Sequence, residues 1–235
     1  MLDAALRQAG EWRRAGHHLS IAVNVSTRSL LDRDFPDQVA DRLAAWQVPA
    51  GALVLEVTES AVMADPALAL DVLGRLHAFG VGLALDDFGT GYSSMAYLKA
   101  LPVDELKVDR SFVRQMASSN SDAVIVRSTI DLGHNLGLHV VAEGVETQDG
   151  WEELKTLGCD TAQGYHLGRP MPASWNAGSS KPRPTGPGSR NPEAAASAAR
   201  PRWLSTDPPS GARGAGRRRS VRQWRPPPTP SPTPS

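Results

Sequence analysis

The stretch D-D-F-G-T-G-Y-S-S, residues 86–94, decides how the rest of the sequence is interpreted. It follows a short apolar run at 81–85 that begins after Gly80, a pattern typical of a buried strand. Two carboxylates, Asp86 and Asp87, stand together at the end of that strand, where burial without a partner would be costly. A divalent cation, or a pair of them, would offset both charges. An isolated pair of aspartates lies more often in a solvated loop, so the surrounding sequence decides between the two interpretations.

The 235 residues divide into two regions of opposite charge, although the net charge of the whole sequence is zero. Residues 1–172 contain 14 Lys and Arg against 23 Asp and Glu, a net charge of −9. Residues 173–235 contain 11 against 2, a net charge of +9, and hold 13 of the 19 prolines. A segment this rich in Pro, Arg and Ser does not bury enough apolar surface to fold. We therefore predict one folded domain at 1–172 and a disordered tail at 173–235.

The basic residues of the tail, interleaved with Trp203 and Trp224, permit a second interpretation as a tether to nucleic acid or to a membrane surface. The simpler interpretation is a disordered chain in polyproline-like conformations. No apolar stretch approaches the ~20 residues that spanning a bilayer requires. The single cysteine, Cys159, allows no internal disulfide, which suits a reducing cytoplasm. We predict a cytoplasmic protein without a membrane segment and without a specific nucleic-acid partner.

Short apolar runs alternate with helical patterns along the first 172 residues, which predicts a parallel sheet built from βαβ units. The predicted strands lie at 19–23, 52–55, 81–85, 103–106, 138–142 and 160–162. A polar residue follows each of them, in the order Asn24, Glu56, Asp86, Lys107, Glu143 and Gln163. In a (β/α)₈ barrel the carboxyl ends of the strands converge on one face, where active sites lie. A doubly wound sheet is the competing architecture, but it would spread these residues along an edge.

Several motifs together resemble the EAL domain, a family that hydrolyses the bacterial second messenger cyclic di-GMP to linear pGpG on a (β/α)₈ barrel of the TIM type. The motifs are N-V-S at 24–26, E-V-T-E-S at 56–60, D-D-F-G-T-G-Y-S-S at 86–94, L-K-V-D-R at 106–110, A-E-G-V-E-T at 142–147 and Q-G-Y at 163–165. They occur in order and without large gaps between residue 2 and Pro172. The resemblance therefore predicts the fold class, the substrate and the reaction.

The resemblance also implies a role for each residue of the site. The ligands of two divalent cations, Mg²⁺ or Mn²⁺, would be Asn24, Glu56, Asp86, Asp87 and Glu143. Lys107 would hold or deprotonate the attacking water, and Gln163 would contact that water or the phosphate. Glu59 would anchor the 86–94 loop. Asp109 and Glu146 would support Lys107 and its surroundings, and Ser26 and Arg110 would contact the substrate, although a solvated helix face is an equal interpretation for Arg110.

The implied chemistry agrees with the residue types. Oxygen ligands alone select hard cations such as Mg²⁺ and Mn²⁺. Two such cations stabilise both the attacking and the leaving oxygen of a phosphodiester displacement. They also explain how an acidic domain accepts an anionic substrate.

The sequence departs from the family pattern at its beginning. The family starts with two further strands, which carry a Gln-Pro substrate contact and the Glu-Ala-Leu segment with another metal ligand. Neither is present here, so we predict an incomplete barrel, with its first two strands absent, and a chain that is poorly active or unstable alone. A misplaced start or a gene fragment is the interpretation we favour, because the remaining motifs are intact.

Two other functions compete with the phosphodiesterase. A non-catalytic cyclic di-GMP receptor or interaction module would bind the nucleotide without the missing glutamate. An unrelated barrel chemistry, such as stabilisation of an enolate by Mg²⁺ with a lysine base, would use similar strand ends but would not require the 86–94 loop in this form. By analogy with the family, we also expect a homodimer and an upstream sensor or GGDEF domain in a longer parent chain.

Overall fold

The protein is described by a computed structural model at residues 1–90 and 95–171. The predicted disordered tail and the last four residues of the D-D-F-G-T-G-Y-S-S stretch lie outside the described residues. The strands are β1 (Ile21–Asn24), β2 (Leu53–Thr58), β3 (Gly82–Phe88), β4 (Glu105–Val108), β5 (His139–Glu143) and β6 (Thr161–Gln163). The helices are α1 (Leu2–Arg14), α2 (Thr27–Leu30), α3 (Phe35–Trp46), α4 (Glu59–Ala64), α5 (Pro66–Ala78), α6 (Met95–Ala100), α7 (Arg110–Gln115), α8 (Asn120–Leu136) and α9 (Gln148–Thr156), with a 3₁₀ turn at Ala50–Ala52.

The six strands form one parallel sheet in which each strand pairs with its neighbours in the sequence, in the order β1 to β6. This arrangement is a sector of a barrel, because a doubly wound sheet reverses its strand order part-way. The predicted α/β barrel class is therefore confirmed. Among the described residues, no helix is long and apolar enough to cross a membrane.

The register of the sheet brings the six polar strand ends onto one face. Asn24 pairs with Glu56, and Glu143 pairs with Gln163. Asp86 pairs with Thr58, which lies two residues after Glu56 on β2. Lys107 pairs with Val141, which lies two residues before Glu143 on β5. Because side chains alternate between faces with a period of two, steps of two residues keep all of these side chains on the same side.

The opposite face of the sheet is apolar and packs against the helices. Its strand residues Leu55, Val57, Leu83, Leu85, Leu106, Val108 and Val140 are fully or almost fully buried. They meet the apolar faces of α5, from Ala69, Val72, Leu73 and Leu76, and of α8, from Val126 and Ile130. This core fixes the helices on one side and leaves the polar face free to form a site.

Three short helices begin three residues after a polar strand-end residue, and the residue just before each helix caps it. The side chains of Ser26, Thr58 and Asp109 accept hydrogen bonds from the N–H groups of Ser29, Ala61 and Ser111, at the starts of α2, α4 and α7. Each cap ends its strand and turns the chain away from the sheet. The polar side chain two residues earlier is thereby held at the carboxyl end of the strand.

Candidate active site

Lys107 is the centre of the polar face, and its side chain is 5% exposed. Its Nζ atom lies 2.8 Å from Oε1 of Glu56, 3.2 Å from Oδ1 of Asp86 and 2.6 Å from Oε1 of Glu143. Burial lowers the pKa of Lys107, but hydrogen bonds to Glu143 and Glu56, together with their charges, outweigh burial and raise the pKa above its ordinary value. Lys107 is therefore an ammonium group held by three carboxylates from three different strands.

Negative charge exceeds positive charge around this ammonium. Asp87 has a left-handed backbone, with φ of 55°, and its N–H donates to Oδ1 of Asp86 over 3.0 Å. Burial raises the pKa of Asp87, and the neighbouring charges of Asp86, Asp109 and Glu143 raise it further. The pKa of a carboxyl group rises in this way where negative charges crowd one another.

Asp109 shares a hydrogen bond with Asp87 and lies at the start of α7. Burial raises the pKa of Asp109, but hydrogen bonds from the side chain and backbone of Ser111, and from Asp87, bring the pKa below its ordinary value. Of this pair, Asp87 has the raised pKa and Asp109 the lowered one. The contacts of Asp109 in the structure are therefore with Ser111 and Asp87.

Glu59 connects α4 with the chain that follows β3. Its Oε2 atom accepts a hydrogen bond from the N–H of Gly89 over 3.4 Å, and the residue is 4% exposed. Oε1 of Glu59 is buried and has no hydrogen-bond partner among the residues that the structure describes. Gly89 has φ of 97°, which glycine adopts without strain. The contact to Gly89 supports the predicted anchoring of the loop by Glu59.

The remaining predicted site residues lie around this centre rather than in contact with Lys107. Asn24 and Gln163 end the two outer strands of the sheet, and both are exposed. Ser26 caps α2, while Arg110 is the first residue of α7 and is also exposed. Glu146 pairs with Arg114, with Oε2 and Nη2 separated by 3.3 Å.

The predicted metal ligands are suited to hard cations. Among residues 1–90 and 95–171, no group of three or more His, Cys, Asp or Glu side chains is arranged to hold a metal ion as it stands. Instead, the ammonium of Lys107 lies between three of the carboxylates. The three carboxylates already surround one positive charge, the ammonium of Lys107. All of their donor atoms are oxygen, and their combined negative charge is larger than the positive charge of the lysine. They fit divalent cations of the Mg²⁺ type.

Sequence reasoning missed Glu105, which lies on the same face of β4 as Lys107 and two residues before it. Burial raises the pKa of Glu105, and the charges of Glu56 and Asp104 raise it further, against a lowering effect of Lys107. The period-two alternation of β4 contained this signal. Because Glu105 falls inside the predicted strand at 103–106 rather than after it, the rule of a polar residue at the strand end does not select it.

Two glycines follow site residues and allow close packing that sequence reasoning also missed. A Cβ atom on Gly164, next to Gln163, would lie 2.3 Å from the N atom of Val145. A Cβ atom on Gly144, next to Glu143, would lie 2.5 Å from the Cβ of Arg110. The chain therefore passes closely over both strand ends, and this contact holds the two site residues in place.

The chain matches the EAL domain over residues 1–170. It belongs to the EAL domain family. It is 47% identical over 174 residues to the bifunctional diguanylate cyclase/cyclic di-GMP phosphodiesterase MucR of Pseudomonas aeruginosa. The aligned region covers 74% of this chain and 25% of MucR. The chain thus spans about a quarter of the length of the curated relatives it matches.

Solved structures of EAL domains have the same fold. The MucR phosphodiesterase in complex with cyclic di-GMP has a TM-score of 0.71 at 47% identity, covering 73% of this chain and 70% of that one. The EAL domain of Mycobacterium smegmatis DcpA has a TM-score of 0.70 at 42% identity, covering 74% and 78%. Klebsiella pneumoniae BlrP1 in a complex with manganese and cyclic di-GMP has a TM-score of 0.64 at 34% identity, covering 70% and 42%.

Proposed function

We propose that this chain provides the catalytic unit of a metal-dependent phosphodiesterase that hydrolyses cyclic di-GMP to linear pGpG. The observation that carries the proposal is the convergence of Glu56, Asp86 and Glu143 on Lys107. Membership of the EAL family and the cyclic di-GMP complex of the related MucR phosphodiesterase support the choice of substrate. The manganese complex of BlrP1 supports a divalent cation.

In this proposal the metal-holding residues are Asn24, Glu56, Asp86, Asp87 and Glu143. The bound cations would supply Lewis-acid stabilisation of the attacking and leaving oxygens and would offset the charge of the substrate. The strands β1, β2, β3 and β5 would each supply at least one of these oxygen donors.

Lys107 contributes an ammonium group, which has hydrogen-bond donors and no acceptor. It is held by carboxylates on three sides, so its side chain is oriented before substrate binds. We propose that it holds the attacking water, while Gln163 at the end of β6 contacts this water or the phosphate. The water adds across one phosphodiester bond, which opens the ring and leaves the second phosphodiester bond intact in pGpG.

The surrounding residues shape the site. Glu59 anchors the backbone after β3 through Gly89. We assign Asp109 and Glu146 to the support of the site through Asp87 and Arg114. Ser26 and Arg110, both exposed beside strand ends, are assigned to substrate contact.

Hydrolysis of cyclic di-GMP by the purified chain, followed by chromatography of the products, tests the proposal. We expect slow production of pGpG in the presence of Mn²⁺ or Mg²⁺, in keeping with the prediction that this chain alone is poorly active, none after treatment with a chelator, and none in Asp86→Ala. Unchanged hydrolysis in Asp86→Ala, or hydrolysis in the chelated protein, would overturn the metal assignment. Nucleotide binding without any hydrolysis would support the receptor function instead.

The cellular setting is also a proposal. A reaction on an intracellular second messenger suits a cytoplasmic protein. The chain spans about a quarter of MucR, a bifunctional relative, so we propose that it functions with an upstream sensor or GGDEF domain. We further propose a homodimer, which sedimentation velocity tests directly.

A further inference from the structure

Two aspartates at the base of the sheet, opposite the site, make the same unusual contact. Oδ2 of Asp104, just before β4, accepts a hydrogen bond from the N–H of Leu83 in β3 over 2.9 Å. Oδ2 of Asp160, just before β6, accepts one from the N–H of Val140 in β5 over 2.8 Å. In each case the side chain ties the start of one strand to the start of the preceding strand.

A histidine lies beside each aspartate and comes from the helix before the first strand of the pair, α5 before β3 and α8 before β5. Nδ1 of His77, near the end of α5, lies 3.7 Å from Oδ2 of Asp104. Nε2 of His134, near the end of α8, lies 2.9 Å from Oδ2 of Asp160. We call each set, a histidine, a strand N–H and an aspartate, a base clamp: the first is His77, Leu83 and Asp104, and the second is His134, Val140 and Asp160.

The two base clamps belong to an internal repeat with a nearly constant spacing. From the histidine to the end of the first strand, each residue of the first clamp region has its counterpart 57 positions later in the second. From the aspartate to the end of the second strand, the counterpart lies 56 positions later. The equivalent pairs are His77 and His134, Gly80 and Gly137, Leu83 and Val140, Asp86 and Glu143, Asp104 and Asp160, and Lys107 and Gln163. The glycines share a left-handed backbone, with φ of 84° and 78°. The same device therefore occurs twice, which argues against an incidental contact.

Each base clamp joins the positions three residues before two site residues. Leu83 and Asp104 precede Asp86 and Lys107 by three, and the second clamp has the same relation to Glu143 and Gln163. A strand rises about 3.3 Å per residue, so each clamp lies about 10 Å below the side chains it serves. A clamp at this distance sets the height of one strand relative to its neighbour, meaning its position along the strand axis.

The ladder between β3 and β4 is irregular close to the site, although at the base the N–H of Asp104 also donates to the carbonyl of Leu83 over 2.9 Å. Between β3 and β4 the pairing runs from Leu85 with Leu106 to Phe88 with Val108, so β3 carries one extra residue close to the site. β6 has only three residues, and each pairs with β5. Both strands that the aspartates precede are short, and a side-chain hydrogen bond at the base adds a fixed point to each.

We propose that Asp104 and Asp160 are positioning residues, which set the heights of Lys107 and Gln163 relative to the carboxylates on the adjacent strands. The effect on turnover rests on the proposed function, whereas the effect on side-chain position does not. A substitution at either aspartate moves the site residue at the far end of the same strand.

Nuclear magnetic resonance of the isotopically labelled full chain tests the position directly. In Asp104→Ala we expect the ε-methylene signals of Lys107 to shift while the side-chain amide signals of Gln163 stay in place. In Asp160→Ala we expect the reverse. The matched control is Asp65→Ala, which removes a hydrogen bond of the same kind, from the N–H of Leu68 to Oδ1 over 3.1 Å, at the start of α5. Signals of Lys107 and Gln163 that do not move in either variant would overturn the proposal.

Turnover supplies a second readout. A small displacement of a reacting group costs up to about a hundredfold in rate, so we expect a fall of tenfold or more in kcat for Asp104→Ala with KM unchanged. Asp104→Asn retains an oxygen that accepts the Leu83 N–H, and should recover most of kcat. A common loss in Asp104→Ala and Asp65→Ala would mean a general loss of stability and would contradict positioning. If the unmodified chain hydrolyses nothing, the proposed function fails and the resonance shifts still decide the base clamps.

Discussion

Lys107 and Glu143 are 36 positions apart in the sequence and lie on different strands, yet their Nζ and Oε1 atoms are 2.6 Å apart. This is the shortest of the three contacts that Lys107 makes with carboxylates. A lysine in this position links β4 to β5 across the polar face. It balances part of a negative charge that the remainder of the site leaves uncompensated.

Replacing Lys107 with Met should therefore destabilise the metal-free chain strongly. Removal of one partner from a buried ion pair costs about 3–5 kcal/mol, because the carboxylates are left unpaired. Mn²⁺ should restore part of the lost stability, since a bound cation would offset the same carboxylates. Urea unfolding with and without Mn²⁺ measures both effects.

The control for this substitution is Lys155→Met. Lys155 forms an exposed pair with Glu152 over 3.1 Å, and such pairs contribute about 0.5 kcal/mol or less. Equal losses in the two variants, or a Lys107→Met chain that Mn²⁺ does not stabilise, would contradict the role given to the central lysine.

Gly164→Ala should destabilise the chain and move Gln163. The new Cβ would lie 2.3 Å from the N atom and 2.2 Å from the O atom of Val145, and backbone atoms yield little. Overpacking of this kind costs about 1–3 kcal/mol. Gly168→Ala is the matched control, because a Cβ there would have no neighbour within 4 Å among the described residues. Thermal unfolding of the two variants should separate them clearly.

Glu59 should tolerate an amide better than truncation. Glu59→Ala removes the charged acceptor of the Gly89 N–H, and a hydrogen bond to a charged group contributes about 1.5–3 kcal/mol. Glu59→Gln keeps an acceptor oxygen and removes a buried charge, so its free energy of unfolding should change by less than about 1 kcal/mol. Chemical denaturation ranks the two variants, and a Gln variant as unstable as Ala would contradict this assignment.

Cys159 should react slowly with iodoacetamide at neutral pH. Burial raises the pKa of its thiol from 9.0 to about 11, and the thiolate is the reactive form. The folded chain favours the neutral thiol, so the stability from this group is complete below about pH 9 and is lost as the pH rises through about 11. Alkylation rates from pH 7 to 10, with the urea-unfolded chain as the control, test the shift. A folded chain that reacts as fast as the unfolded one would contradict it.

The strands and the convergence of their polar ends were predictable from the sequence because both depend on local patterns. A polar residue after a short apolar run marks the carboxyl-terminal part of a strand. Asn24 ends β1, whereas Glu56 and Asp86 each lie two residues before the end of their strand. The identity of the partners was not predictable. That Lys107 meets three carboxylates at once depends on the register between strands, which no local pattern encodes.

Other features depend on tertiary contacts of residues that look ordinary in the sequence. Asp104 and Asp160 resemble turn residues before a strand, and their hydrogen bonds to the preceding strand appear only in three dimensions. The short helices α2, α4 and α7 contain four to six residues, too few for a helical period to be visible. Their start signals, the caps at the strand ends, were present but were interpreted only as parts of the motifs.

The distribution of the site over the sheet has a consequence for how the protein loses activity. Each strand from β1 to β6 supplies at least one of the predicted site residues, so the site exists only while all six strands keep their places. Local opening of an outer strand requires less free energy than global unfolding. Enzymatic activity should therefore be lost at a lower denaturant concentration than the helical circular-dichroism signal. Activity then reports the opening of a single strand, which a signal averaged over all helices does not detect.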